Sequence, residues 1–287
     1  MSMGLGVLAF LCFKRRNIMP VMEGLEWTFD TVADKYEKFR PGYTEELYRT
    51  LFNYINIGSS SNVVEIGIGG GQATLPVLKK GCSLTAVEYG ENFSKLCREK
   101  FRDFGKFSVI TDKFENVSFT GLKYDLVYSA SAFHWIPENT GYPKVYSMLK
   151  NGGVFARFAN HPYCGKDNPV LSAEIDKLYS KYYYKYHGKD IKQEKEHKEY
   201  SEEQAVQRAR IAGKYGFTDI KHAMFYRTRV FSAKEYVELL GTYSDHIAIE
   251  ENTRMEFFSE IEEAINKHGG LFTIYDTIDL QLARKPY

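Results

Sequence analysis

Residues 63–72, Val63-Val64-Glu65-Ile66-Gly67-Ile68-Gly69-Gly70-Gly71-Gln72, decide the fold. An apolar run that contains an acid, followed by glycines at alternate positions, predicts a buried strand that ends in a tight turn without side chains and opens a helix. Such a turn lets a nucleoside-bearing ligand lie against bare backbone, so an adenosine-type cofactor is expected. The dinucleotide fingerprint wants glycines at the first, third and sixth places, to seat a pyrophosphate on the helix N-terminus. Gly67 and Gly69 fill the first two, but Gln72 stands in the sixth. A nicotinamide-dependent oxidoreductase is therefore the weaker alternative. Glycine in a strand-to-helix turn also serves plain packing, so the segments on either side must carry the argument.

Downstream, Leu84-Thr85-Ala86-Val87-Glu88 reads as a second strand closed by an acid, about twenty residues past the first glycine. A carboxylate there can accept hydrogen bonds from both ribose hydroxyls, which makes Glu88 the expected ribose ligand. A third strand, Phe107 to Thr111, is closed by Asp112 and followed by Phe114. A fourth, Tyr124 to Ser129, runs into Ala130-Ser131-Ala132-Phe133-His134-Trp135.

The acid two residues before the first glycine, with glycines at alternate places after it, resembles the first motif of the S-adenosylmethionine-dependent methyltransferases of the Rossmann-like class. The segment Asp125-Leu126-Val127 to His134-Trp135 is similar to the "D-L-V … A-x-H-W" element of their small-molecule members. Phe29-Asp30-Thr31-Val32-Ala33-Asp34-Lys35-Tyr36-Glu37-Lys38-Phe39-Arg40-Pro41-Gly42-Tyr43 resembles the "F-D-x-x-A-x-x-Y-x-x-x-R-P-x-Y" element of the trans-aconitate-type, or type 11, group. The resemblance implies S-adenosyl-L-methionine as cofactor. It places Glu65 at the methionine end, Gly67, Gly69 and Gly71 along the cofactor, Asp112 on the adenine amine and Phe114 against the ring. It also puts Tyr36 and Arg40 over the site, Arg40 suiting a carboxylate fork, and Ser129 and Ala130 beside the cofactor. His134 and Trp135 fall nearer the acceptor, where an aromatic ring can hold a sulfonium by cation–π attraction worth about 0.5–2 kcal/mol. Phe133 and Trp135 serve equally to cap the sheet.

The chemistry follows from the cofactor. An electrophilic methyl on sulfur needs only an acceptor atom aligned behind it and water kept out. A carboxylate acceptor needs no base, whereas a hydroxyl or amine makes His134 the candidate base. A cofactor-binding regulatory protein without catalysis is the remaining alternative.

The order of elements predicts an α/β, doubly wound, mostly parallel seven-stranded sheet whose last strand is antiparallel. Helices are expected at about 27–39, 43–54, 71–80, 91–103, 139–149, 232–242 and 252–268. Further strands fall at 153–158, 217–230 and 271–283, with Asn151-Gly152-Gly153 as the turn into the fifth. A helical insertion at 161–212 is expected to cover the acceptor site, its tyrosines (Tyr179, Tyr182, Tyr183, Tyr184, Tyr186) either facing substrate or docking on the core. Residues 23–160 and 213–287 then form the methyltransferase domain.

Residues 1–22 are read as an extension. Leu5 to Phe13 is nearly all apolar but too short to span a bilayer, and its charges, Lys14-Arg15-Arg16, follow it where a secretory signal would place them before. An added helix and an upstream start, with Met19 or Met22 as the true beginning, are both open, and no stable membrane insertion is expected. With 38 basic and 37 acidic residues the net charge is +1, which provides no overall field for a polyanion and points away from nucleic acid toward a small-molecule acceptor. The four cysteines, Cys12, Cys82, Cys97 and Cys164, form no C-x-x-C pair. No metal site is expected, and a reducing cytoplasm suits them.

Overall fold

A computed structural model describes residues 30–31, 33–121, 123–188 and 199–287. The expectations for residues 1–22, for the start of the first helix and for Cys12 lie outside the described residues.

Seven strands form one sheet in the order β3-β2-β1-β4-β5-β7-β6. β1 (Asn62–Ile66), β2 (Ser83–Glu88), β3 (Phe107–Thr111), β4 (Tyr124–Ala130) and β5 (Leu149–Tyr163) are parallel. β7 (Leu271–Arg284) is antiparallel to β5 and to β6 (Thr218–Ser232). The short central strands are apolar because both their faces are covered, whereas edge strand β6 alternates between exposed and half-buried residues. Strand order reverses between β1 and β4, and at that switch point an open α/β sheet offers a crevice beyond its carboxyl ends.

One face is covered by α2 (Glu45–Tyr54) and α3 (Thr74–Leu78), which pack Leu47, Leu51 and Val77 on Val63, Leu84 and Leu126. The other is covered by α5 (Glu138–Met148), with Tyr142 and Val145 on Val64, Val127 and Phe155. Each of these aliphatic side chains, fully withdrawn from water, contributes about 1.5–3 kcal/mol. α4 (Glu91–Lys100) packs near β2 and β3.

The fifth strand begins four residues earlier than expected. Asn151-Gly152-Gly153 lies within β5 as a register shift, with Tyr124 opposite Leu149 and Leu126 opposite Val154. Gly152 at φ 75° supplies the left-handed residue this irregularity needs.

The insertion divides. α6 (Pro169–Leu178) starts on an Asn168 cap with proline at its first position. It continues through a π-helical stretch, Tyr179–Tyr184. Both pack with α8 (Ala233–Leu240), α9 (Ser244–Ile247) and α10 (Glu251–Lys267) around Leu171, Ile175, Leu239, Phe257 and Ile261. This helical cap therefore draws on 233–267 as well as on the insertion. α7 (Glu202–Arg210) leaves the cap, starts on a Ser201/Gln204 capping box and packs Ala205 and Ala209 near β6 and β7. Tyr179, Tyr182 and Tyr183 of the tyrosine run dock on the cap, whereas Tyr186 is exposed. Tyr179 pairs with His246 (3.0 Å), while Tyr182 and Tyr183 donate to Glu260 and Asp245 (2.6 Å each).

Candidate functional site

The glycine loop leaves β1 at the switch point and is held at both of its polar ends. Glu88, at the carboxyl end of β2, accepts the Gly69 N–H through Oε2 and the Gly90 N–H through Oε1, each at 2.9 Å. The Cys97 thiol donates to the Gly69 carbonyl at 3.0 Å. Burial raises the Glu88 carboxyl above its ordinary range, and the Gly90 and Gly69 amides offset part of that rise.

Glu65, inside β1, is fully buried. Its Oε2 accepts from Tyr128 (2.7 Å) and Thr74 (2.8 Å), and its Oε1 has no partner. Burial pushes its carboxyl up to about 8, and the Tyr128 and Thr74 hydroxyls pull the other way. A buried acceptor without a donor costs about 1–3 kcal/mol, so a cation or N–H delivered to Oε1 would be favourable.

The glycines do different work. A Cβ on Gly67 (φ 71°) would stand 2.4 Å from the Ala132 Cβ, so its bareness admits the chain leaving β4. A Cβ on Gly71 (φ 75°) would meet Phe101 at 2.6 Å, so its bareness admits a core aromatic. Gly69 faces Tyr36, with 3.5 Å to spare.

Two other expected contacts also point into the protein. Phe114 is 4% exposed and packs on Phe119 and Val117, so it is a core aromatic, because the chain after β3 turns its apolar side chains under α5. Ser129 is buried and donates to the Ile66 carbonyl at 2.9 Å, tying β4 to β1. Asp112 is exposed at the end of β3, where its Oδ1 accepts from Lys113 N and Asn116 Nδ2. Ala130 is half-buried at the end of β4. Ser131, next to it, takes φ 55°, a left-handed conformation unusual outside glycine, and pairs with the Tyr43 hydroxyl at 2.8 Å.

The segment before β1 lies across this loop. α1 (Ala33–Phe39) sets Tyr36 edge-on to Phe93 and brings Glu37 onto Lys100 at 2.7 Å. Arg40 stacks on Tyr243 at 3.8 Å and donates to the Thr242 carbonyl and hydroxyl at 2.9 Å, so two of its donors fasten α1 to the cap.

His134 and Trp135 form a turn directly after β4. Burial, with Arg208, Arg157 and His161 nearby, lowers the His134 imidazolium to about 3. A base works best with a pKa near the working pH, which argues against His134 as the proton acceptor.

Three further residues near the site were not singled out from the sequence. Tyr89, 45% exposed, follows Glu88 at the mouth of the site with Lys113 Nζ 4.9 Å above its ring. Its position directly after the second-strand acid was a usable signal. Asp30 accepts the backbone N–H groups of Asn92 (3.2 Å) and Phe93 (2.9 Å), pinning the incoming segment to the start of α4. Arg157, buried on β5, carries no motif at all. Among the described residues no cluster of histidine, cysteine or carboxylate could hold a metal.

A family profile described as a methyltransferase domain matches residues 63–153. An uncharacterized methyltransferase of Schizosaccharomyces pombe is 24% identical over 245 residues, 83% of this chain and 87% of that protein. Of three further curated relatives the chain spans between 25% and 64% of the length. Among solved structures, a proposed type II methyltransferase from Anaeromyxobacter dehalogenans shares the fold with a TM-score of 0.60 at 18% identity, over 87% of this chain and all of that one. Phosphoethanolamine N-methyltransferase 2 of Haemonchus contortus, solved with S-adenosylhomocysteine, gives 0.51 at 16% identity over 90% of this chain and 58% of that one. Residues 63–153 thus carry a methyltransferase domain, and the sheet around them has the fold of solved methyltransferases.

Proposed function

We propose that the chain moves the methyl group of S-adenosylmethionine to an oxygen, nitrogen or carbon atom of a small molecule by in-line displacement. The observation that carries this reading is the unpartnered, buried Oε1 of Glu65 beside a loop gripped by Glu88. Three acids, Glu65, Glu88 and Asp112, end or approach the ends of adjacent parallel strands. They suit a ligand with an ammonium, two ribose hydroxyls and an adenine amine, and they repel the pyrophosphate of a nicotinamide cofactor.

In this reading Glu65 takes the amino group, Glu88 the ribose, and Asp112 the adenine amine, with Tyr89 as the ring's platform. Tyr36 and Arg40 close the site, Gly67, Gly69 and Ala130 form its floor, and Trp135 borders the acceptor. When bound, the cofactor supplies a methyl group already activated on a sulfonium. The protein's part is to align the acceptor and to exclude water, which falls to α1 and the helical cap. The neutral total charge supports a small acceptor over nucleic acid. The unpaired thiols of Cys82, Cys97 and Cys164 favour a reducing cytoplasm. No helix of the described residues is long and apolar enough to cross a membrane.

Calorimetry tests the cofactor: S-adenosylhomocysteine is expected to bind at micromolar concentration and NAD not at all. The reverse result overturns the proposal. Binding without methyl transfer to any of a broad acceptor panel would make the chain a binding protein.

A further inference from the structure

Beyond the cofactor loop, on the α5 and α7 side of the sheet, lies a second polar group whose charges do not balance. Arg157 is 8% exposed, in register with Ser129 and so level with the end of β1. It donates to the Tyr142 hydroxyl, and its Nε is buried without a partner. Arg208 of α7, 15% exposed, stands 3.9 Å from Asp279. Asp279, fully buried on β7, also takes His161 at 2.9 Å and the Tyr200 hydroxyl at 3.3 Å. Tyr200 lies flat on His161 with 3.6 Å between ring centres. His134 closes the group from the end of β4.

Asp279 is thus a single buried carboxylate facing two arginines. Glu138, the next acid, is held at the rim by Tyr215 at 3.1 Å and Lys214 at 3.9 Å. A buried cation without its counter-charge is costly, and an orphaned guanidinium N–H adds to that cost. Both fall away once an anion enters. Planar guanidinium groups with imidazole rings beside them match the oxygens of a carboxylate or phosphoryl group.

Resting on the methyltransferase reading, we infer that His134, Arg157, His161 and Arg208 form an oxyanion subsite, so that the methyl acceptor is an anionic small molecule. Arg157 and His134 lie level with the carboxyl ends of β1 and β4, which puts the anion next to the cofactor crevice.

The test uses the full chain, with and without saturating S-adenosylhomocysteine, titrated in a calorimeter with succinate, with inorganic phosphate and with uncharged succinamide. Succinate or phosphate is expected to bind the wild type and the distant Lys80→Ala variant alike, and the tighter of the two identifies the source of the oxyanion. Binding is expected to weaken about tenfold or more in Arg208→Gln and in His134→Gln, one lost charged hydrogen bond being worth about that factor. Arg208→Lys should recover part of it. Circular dichroism melts verify that each variant is folded. Equal binding in wild type and variants, equal binding of succinamide, or no binding of either anion overturns the subsite. A failure of S-adenosylhomocysteine to bind, read in its own titration, counts against the cofactor reading instead.

Discussion

The carboxyl edge of the sheet has two halves of opposite character. Over β1 to β3 it carries Glu65, Glu88 and Asp112, whereas over β4, β5 and β7 it carries His134, Arg157 and His161 with Arg208 leaning in from α7. In each half burial keeps a titratable group neutral: Glu65 is raised to about 8 and His134 lowered to about 3. Each half therefore stores a charge that a ligand of the other sign would bring out. Because the halves adjoin at the switch point, a cationic donor and an anionic acceptor would meet there, with their charges attracting across the line of transfer.

The comparison breaks first at its hinge. Gly67 joins the halves by admitting Ala132, so Gly67→Ala must both shift that chain and hold an L-residue at φ 71°. A loss of about 2–4 kcal/mol in urea unfolding is expected, with cofactor binding lost as well. On the acid side, Glu88→Ala strands the Gly69 and Gly90 amides. S-adenosylhomocysteine affinity should fall about a hundredfold, close to 3 kcal/mol, in a calorimetric titration.

Glu65 and His134 sharpen the contrast because their pH effects on stability run oppositely. The folded Glu65 pKa, about 8, lies above its ordinary 4.5, so its contribution is full below 4.5 and is lost as pH rises to about 8. Glu65→Gln should flatten that decline, by on the order of 4 kcal/mol at pH 8, while weakening cofactor binding. His134 at about 3 lies below its ordinary 6.5, so its contribution is full above 6.5 and is lost as pH falls toward 3. His134→Ala should flatten the acid limb of the melting profile. In turnover it should raise KM more than it lowers kcat and leave no inflection near 6.5 to remove. The smallest effect belongs to a pair outside both halves: Lys35→Ala breaks the exposed Lys35–Glu238 bridge and should change stability by no more than about 0.5 kcal/mol.

Much of the acid half was legible in the chain. β1 and β3 end where periodicity placed them, and Glu88 closes β2 as its spacing predicts, because strand, turn and helix there follow one another within a few residues. Phe114 and Gly71 were ambiguous for a common reason. Both satisfy a local pattern, but which face of the sheet a side chain takes depends on the layer packed above it, here α5 for Phe114 and Phe101 for Gly71. Tyr179, Tyr182 and Tyr183 were ambiguous on the same ground until α9 and α10 supplied their partners.

Local order, then, was written in the sequence: alternation and turn residues act over two to five positions, and they specified the strands, the glycine loop, the acids and with them the class of cofactor. The basic half was not. Arg157, Arg208 and Asp279 lie 51 and 71 residues apart along the chain, in an odd assortment of strand and helix positions. They become one group only when β7 inserts antiparallel between β5 and β6 and α7 closes over it, since long-range pairing, not local propensity, decides which distant charges share a buried space.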